Sequence, residues 1–282
     1  MTTATGSFEL SALLGRLIAE QRIELPILPA VALEVMAACQ QQETDAQKLS
    51  AIIHRDQALA ANVLRVANSA AYVGQIPCAS LTQAVGRLGM QLIAEIAVAV
   101  AVKGRAFAGR TCADLFEQLW RHAVITGFFT KEIARMRRRN VESAFLCGLL
   151  HDIGKAVLLA TVGKHFEDGR VELAAIAHAL QEHHATVGSQ LARGWRLPPQ
   201  IVEAIECHHD YDRAKTAQEA AMTVCLADML AHFVSPTPDV QTVMASALRR
   251  HPVLLALNLY ADQLDALLVR ADKAIALAAG MA

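Results

Sequence analysis

Aromatic side chains are scarce in this chain, at 5% of 282 residues. β-Strands prefer aromatic and β-branched residues, whereas alanine and leucine, which are abundant here, favour helices. We therefore expect an all-α fold. An excess of charge of either sign is also missing, since 26 basic side chains are balanced by 27 acidic ones. Because no surplus of Lys and Arg is available to contact phosphates, we expect no direct nucleic-acid binding.

Paired cysteines and long apolar runs are missing as well. The six cysteines occur singly, without a CxxC pair, which excludes a disulfide framework for a chain of this length. The most apolar window, residues 92–102, includes Glu95 and is shorter than the roughly 20 residues that span a membrane. The first ten residues contain no basic segment followed by an apolar run. We expect a cytoplasmic protein with no membrane segment and no signal peptide.

Apolar periodicity and helix breakers predict helices along the whole chain. Thr44-Asp45 offers an N-cap, and Gly89 divides one long apolar stretch into two helices. Gly104–Thr111 is a plausible boundary between two halves. In the first part of the chain the predicted helices cover residues 8–23, a segment that begins at residue 31, residues 45–53, residues 57–70 and, in two pieces, residues 81–104. The later ones cover about 25 residues after 113, residues 142–162 in two pieces, and residues 171–194, 199–209, 217–233, 239–249 and 262–279.

Polar residues interrupt several of these apolar helices. His151 and Asp152 lie within LCGLLHDIGKAVLL, and Asp228 lies within TVCLADMLAH. Burying an imidazole or a carboxylate without a partner is costly. One interpretation of the His151-Asp152 doublet is a neutral histidine next to an aspartate that caps the following turn. Gly154 and Lys155 follow at once, and a capping motif requires neither of them.

The alternative interpretation is a shared metal site. Imidazole and carboxylate groups together bind Zn, Mn or Fe, and converging helices can each supply a ligand. A set this large exceeds one tetrahedral ion and suits two neighbouring ions bridged by a carboxylate such as that of Asp152. A polar network that merely fixes the helix packing also stays open. The candidate ligands are His122, His151, Asp152, His184, His208, His209 and Asp228.

The order of these residues resembles the HD superfamily of metal-dependent phosphohydrolases, and His184 with His208-His209 resembles its binuclear branch, which includes the HD-GYP cyclic-dinucleotide phosphodiesterases. The fuller resemblance, over about residues 20–235, is to the HDOD family, the HD-related output domain of bacterial signalling. It is carried by LPILPAVALEVM, IIHRDQALAANVLRVANSAAY, LTQAVGRLGMQLIAEIAV, FLCGLLHDIGK and HATVGSQLARGWRLPPQIVEAIECHH.

The HDOD resemblance implies an N-terminal helical half packed on an HD-like helical bundle. The domains expected from it are an N-terminal helix extension (1–19), the N-terminal half (20–106), the metal-site half (107–235) and a C-terminal extension (236–282). It also implies that the seven candidate ligands hold one or two divalent ions, which could be Fe, Mn or Zn. In active relatives Asp152 would bridge the ions and Lys155 would face the substrate phosphate.

Two departures from the active relatives bear on catalysis. DYDRAKTAQEA follows His209, so the Gly-Tyr-Pro segment of the phosphodiesterases is missing, and Gln118 stands where some trimetal relatives carry a Glu ligand. We therefore expect a signalling output or adaptor domain that retains metal, lacks efficient phosphodiesterase activity and acts on a signalling partner. The alternatives are a phosphohydrolase acting on a nucleotide or cyclic dinucleotide, and a sensor of a nucleotide second messenger. The remaining histidines are predicted to be structural or on the surface: His54, His165, His178, His183, His232 and His251.

Overall fold

The computed structural model describes residues 3–39, 41–72, 74, 76–106, 113–165, 172–236 and 244–281, and these residues contain helices but no strand. The all-α prediction is therefore confirmed. The helices are α1 (Thr3–Ala19), α2 (Ala30–Cys39), α3 (Ala46–Ile53), α4 (Gln57–Ala67), α5 (Leu81–Leu88), α6 (Met90–Ala106), α7 (Ala113–Arg137), α8 (Val141–Leu150), α9 (Ile153–His165), α10 (Leu173–Gly194), α11 (Pro199–Cys207), α12 (Gln218–Val234), α13 (Ala245–Arg250), α14 (Pro252–Ala256), α15 (Ala261–Leu268) and α16 (Ala271–Gly280), with a 3-10 turn at Tyr211–Arg213.

The chain divides into two compact units. The larger unit comprises Met1–Pro26 and Ala106–Val269, and the smaller unit comprises Ile27–Arg105 and Arg270–Ala282. The terminal helices thus belong to opposite units: α1 packs on α10 in the larger unit, and α16 packs on α4 in the smaller one. The domain boundaries expected near residues 20, 107 and 236 stay predictions, and most of the expected Gly104–Thr111 boundary lies outside the described residues.

Local capping signals define the helices of the smaller unit. The Asp45 side chain accepts a hydrogen bond from the Lys48 amide and caps α3, as the sequence predicted. Asp56 caps α4 and Ser80 caps α5 in the same way. Gly89 ends α5 with φ of 80°, a left-handed value that glycine adopts without strain, and the chain turns there into α6. The predicted break near Gly89 is therefore observed.

Helix α7 is the central element of the larger unit, because nearly every side chain between Leu119 and Ala134 is buried. Helix α8 packs on α7 at very short range. A Cβ at Gly148 would lie 2.8 Å from the Gly127 Cα, so the two helices can approach this closely only because both residues are glycines. This crossing places the C-terminal end of α8 next to the middle of α7.

The C-terminal region differs from its prediction. The single helix expected over 262–279 is in fact two helices, α15 and α16, separated at Val269-Arg270, and the short helix α14 was not predicted. The region is rich in alanine and leucine throughout, so periodicity alone gave no break signal. Of the helix expected over 239–249, residues 239–243 lie outside the described part of the chain, and α13 begins at Ala245.

One stretch, Ser143–His165, is long and apolar enough to span a membrane, but 94% of its most apolar window is buried inside the fold. It corresponds to α8 and α9, and the core helix of a globular protein passes the same test of length and composition. Cys39, Cys78, Cys147, Cys207 and Cys225 are free thiols, and Cys112 lies outside the described residues.

Candidate metal centre

The larger unit brings the seven predicted ligands together from five segments of the chain. His122 lies on α7, and the His151-Asp152 pair forms the junction between α8 and α9. His184 lies on α10, the His208-His209 pair directly follows α11, and Asp228 lies on α12. Five of the seven are at most 4% exposed, namely His122, His151, Asp152, His184 and His208. The Asp228 side chain is 15% exposed, and His209 is exposed.

The carboxylate of Asp152 lies at the middle of this cluster. Its Oδ1 lies 3.2 Å from His184 Nε2 and 3.8 Å from His208 Nε2. Its Oδ2 lies 3.3 Å from His151 Nε2 and 2.8 Å from Lys155 Nζ. The two oxygens thus face different sets of imidazoles, which is the arrangement that a carboxylate bridging two ions would have.

Asp228 forms the second acidic point of the cluster. Its Oδ1 accepts a hydrogen bond of 2.9 Å from His122 Nε2, and it lies 3.5 Å from His151 Nε2 and 3.3 Å from His232 Nε2. Helices α7 and α12 are extensively packed on each other, which holds Asp228 over His122.

Backbone hydrogen bonds fix the orientation of three of the imidazoles. The Nδ1 atom of His151 donates to the Gly148 carbonyl at 2.7 Å, and that of His208 donates to the Ile205 carbonyl at 2.7 Å. The Nδ1 atom of His184 donates to the carbonyls of residues 180 and 181 at 3.0 and 2.9 Å. Because a neutral imidazole carries one proton, the Nε2 atoms of His184 and His208, the two rings that are neutral near pH 7, are left as acceptors. This second hydrogen bond is typical of metal-ligating histidines.

The acceptor nitrogens face one another. His184 Nε2 lies 3.3 Å from His208 Nε2 and 3.0 Å from His209 Nε2. Ligands bound to one ion at about 2.1 Å in tetrahedral or octahedral geometry are about 3.0–3.4 Å apart. The lone pairs of His184 and His208 repel each other at this separation unless a cation lies between them. The spacing of these possible ligand atoms therefore fits a divalent metal ion held by His184, His208 and His209, together with Asp152.

The protonation states also suit a metal. Burial lowers the pKa of His184 to about 4 and that of His208 well below its usual value, so both rings are neutral near pH 7. Burial alone would raise the pKa of Asp152, but His151 and Lys155 lower it well below its usual value. Burial would lower the pKa of His151, yet Asp152 and Asp228 raise it to about 10. A proton on His151 thus balances the carboxylates in the absence of a metal ion.

Three buried atoms of the described residues make no hydrogen bond: His122 Nδ1, His151 Nε2 and Asp152 Oδ1. Unpaired buried polar atoms are costly, and two of these three point into the cluster at the positions where ligand atoms are expected. A divalent ion would satisfy His151 Nε2 and Asp152 Oδ1 together. The nitrogen and carboxylate donors are those that Zn, Mn and Fe accept.

A cavity of about 600 Å³ lies between α7, α9 and α10, and the candidate ligands are not among its lining residues. Its walls are mostly leucine and alanine, with Gln118, His178 and Gln181 as polar groups. Gln181 Nε2 lies 3.3 Å from His209 Nε2, and Gln118 lies one helical turn before His122. Gln118 and Gln181 are thus the lining residues of this cavity that lie nearest to the cluster in these contacts.

One residue of the cluster, His232, was not among the predicted ligands. It was expected to be structural or on the surface, and it is only 6% exposed beside Asp228. Its spacing of four residues from Asp228 is the signal that could have identified it, because i and i+4 share a helix face. His183 lies outside the cluster and contacts Ser11 of α1 at 2.9 Å.

The chain matches the family model of the HDOD domain over residues 25–211. An uncharacterised protein of Treponema pallidum is 26% identical over 242 residues, which are 82% of this chain and 47% of that protein. Ribonuclease Y of Geobacter metallireducens is 31% identical over 114 residues, covering 40% of this chain and 18% of the enzyme. The chain thus spans less than half the length of these curated relatives.

Two solved structures share the fold. One is a Shewanella amazonensis protein provisionally assigned as a metal-dependent phosphohydrolase, with a TM-score of 0.75, 19% identity and coverage of 99% of this chain and 100% of that one. The other is an HDOD domain protein of unknown function from Geobacter sulfurreducens, with a TM-score of 0.71, 21% identity and coverage of 99% and 97%. At these identities the likeness establishes the fold alone.

Proposed function

The chain belongs to the HDOD family, and from this premise we propose that it is an output or adaptor domain of bacterial signal transduction that contains a structural metal centre and hydrolyses phosphodiesters poorly or not at all. The observation that carries the proposal is the convergence of neutral Nε2 atoms on Asp152 in a chain without the Gly-Tyr-Pro segment after His209. The first feature supports metal binding and the second argues against efficient turnover.

The metal centre would join the elements of the larger unit. His184, Asp152 and the His208-His209 pair come from α10, the α8–α9 junction and the end of α11, so one ion bound to them would cross-link these elements. A bound ion stabilises the folded state by mass action, because the unfolded chain does not present the preformed site. We infer that the ion, which could be Fe, Mn or Zn, holds the domain in one conformation that a signalling partner recognises.

Elemental analysis of the purified protein tests the metal centre. We expect one or two equivalents of Fe, Mn or Zn, and substantially less in His184→Ala. His165→Ala is the matched control, because the His165 ring also bonds a backbone carbonyl, that of Thr161, but lies outside the cluster. Metal-free protein that takes up no added Fe²⁺, Mn²⁺ or Zn²⁺ would contradict the proposal, as would equal metal content in the two variants.

A second candidate function is a metal-dependent phosphohydrolase. It is favoured by the buried Lys155, whose ammonium lies 2.8 Å from Asp152, and by the cavity beside the cluster, which has room for a small ligand. When bound, the metal would lower the pKa of a water and polarise a phosphoryl oxygen. Lys155 would turn from Asp152 to the phosphate, while Gln118 and Gln181 would offer hydrogen bonds along the cavity wall.

Turnover assays separate the two functions. Metal-loaded protein is incubated with nucleotides, cyclic dinucleotides and a generic phosphodiester, and calorimetry with the same nucleotides detects binding without cleavage. Turnover that Lys155→Met abolishes, with metal content unchanged, would support the hydrolase. Binding without cleavage would support a second-messenger sensor. Neither turnover nor binding is expected for the adaptor.

We also propose that the domain works in the cytoplasm and with a signalling protein partner. The free thiols and the burial of the most apolar stretch inside the fold support the first point. The second rests on the family and on the length of the relatives, which are more than twice as long as the part that this chain matches. Co-purification from a bacterial cytoplasmic fraction with a stoichiometric partner tests both points.

A further inference from the structure

His232 is buried at the C-terminal end of α12, a helix whose other buried residues are apolar except for Thr223. A buried imidazole requires polar partners. Two of its polar neighbours come from two helices: Asp228 precedes it by one turn on α12, and the His122 ring from α7 stacks on it with 4.2 Å between ring centroids. Both of these neighbours are metal ligands of the proposed centre.

The nitrogen atoms around Asp228 are too numerous for hydrogen bonding alone. The Nε2 atoms of His122, His151 and His232 all lie within 3.5 Å of Asp228 Oδ1. A carboxylate oxygen has about two lone-pair positions, so it cannot accept well-formed hydrogen bonds from three donors. A cation among these atoms would engage the oxygen and the imidazole nitrogens together.

The spacing of these atoms matches a coordination sphere. Asp228 Oδ1 lies 2.9 Å from His122 Nε2 and 3.3 Å from His232 Nε2, and ligands on one ion are about 3.0–3.4 Å apart. Ligand atoms of His122, Asp228 and His232 lie within 4.8 Å of one another, as do those of His184, His208 and His209. The two triads share no residue.

We propose that His232 is a direct metal ligand, which with His122 and Asp228 holds one ion, while His184, His208 and His209 hold another. Asp152 and His151 lie between the two triads. The inference rests on the proposed metal centre and extends it, because it assigns a ligand outside the predicted set and places it on α12. Helix α12 then contributes two ligands one turn apart, and the ion links its C-terminal half to α7.

The first test counts ions in wild-type protein and in His232→Gln by native mass spectrometry after loading with Zn²⁺, with dissociation constants from competition with a chelator. His165→Gln is the matched control. We expect His232→Gln to lose one ion, or to bind it more than about 100-fold more weakly, and to keep the other. A residue that only orients a ligand typically changes affinity by about 10–100-fold. An effect of that size or smaller would overturn the proposal.

A second measurement needs no variant, and so it stands even if His232→Gln fails to fold. Protein with ¹⁵N-labelled histidine is loaded with Zn²⁺, and the imidazole nitrogens whose resonances move to the metal-bound range are counted by NMR. Six bound imidazoles are expected, those of the two triads and that of His151, and the inference is overturned if the assigned His232 ring is not among the bound ones. Wild-type protein that binds no ion would refute the metal centre itself, which is a different result from normal binding without His232.

Discussion

Gly154 permits a very close helix crossing in the candidate metal centre. Its replacement by alanine tests whether this crossing holds the candidate ligands in place. It lies between Asp152 and Lys155, where α9 crosses α10. A Cβ at this position would lie 2.0 Å from the His184 carbonyl oxygen and 2.8 Å from the Gly188 amide nitrogen. Both obstacles are backbone atoms of α10, so no side-chain rotation can relieve the overlap.

The cost follows from the distance. Ordinary van der Waals contact begins at 3.4 Å, so α10 would have to move away from α9 by more than about 1 Å. Overpacking of this kind costs about 1–3 kcal/mol or more, and the higher helix propensity of alanine returns at most about 1 kcal/mol. The shift would also carry His184 away from Asp152. We therefore expect Gly154→Ala to be destabilised by about 2 kcal/mol or more and to bind metal weakly.

Urea and thermal unfolding of metal-free protein measure the first effect, and chelator competition measures the second. At about 2–4 °C per kcal/mol for a unit of this size, the melting temperature falls by roughly 4–8 °C. Gly194→Ala is the control, because it lies on α10 with no other atom within 4 Å of its Cβ position. It is expected to be neutral or slightly stabilising. If the two variants unfold alike and bind metal alike, the inferred α9–α10 contact is wrong.

Three further predictions concern single contacts. Zn²⁺ at about 100 times its dissociation constant should stabilise the protein by about 2.7 kcal/mol in thermal unfolding, and an undiminished shift in His184→Ala would contradict the assigned ligands. Glu203 accepts hydrogen bonds from the amides of residues 215–217, which outweigh its desolvation and lower its pKa to about 2. The ionised Glu203 side chain stabilises the folded protein above pH 4.5, and this stabilisation is lost as the pH falls towards 2. Glu203→Gln should therefore be less stable than wild type at pH 7 but not at pH 2. A difference in urea unfolding that does not depend on pH would refute this. Trp195→Phe removes the Nε1–H donor to the Pro26 carbonyl at 2.6 Å and should cost about 1 kcal/mol in urea unfolding, whereas an unchanged midpoint would exclude that bond.

Most of the fold was predictable because its signals are local. Caps such as Asp45 and the break at Gly89 act within a few residues, and apolar periodicity extends over whole helices. The division at Val269-Arg270 was missed, since it falls within a uniformly Ala- and Leu-rich stretch that has no proline or glycine breaker. The assignment of α1 to the larger unit was equally out of reach, because it depends on contacts with α10 that are distant in sequence.

The residues of the cluster were predictable where a polar residue contradicted its apolar surroundings or matched a known order. His151-Asp152 and Asp228 met both conditions. His232 met neither clearly, because a histidine near a helix C-terminus is ordinarily explained by its interaction with the helix dipole. The stacking of His232 on His122, a contact between α12 and α7, and its approach to Asp228 show that it faces the cluster. A polar residue one turn away from a predicted ligand on the same helix is therefore itself a candidate ligand, because the helix period places both on one face.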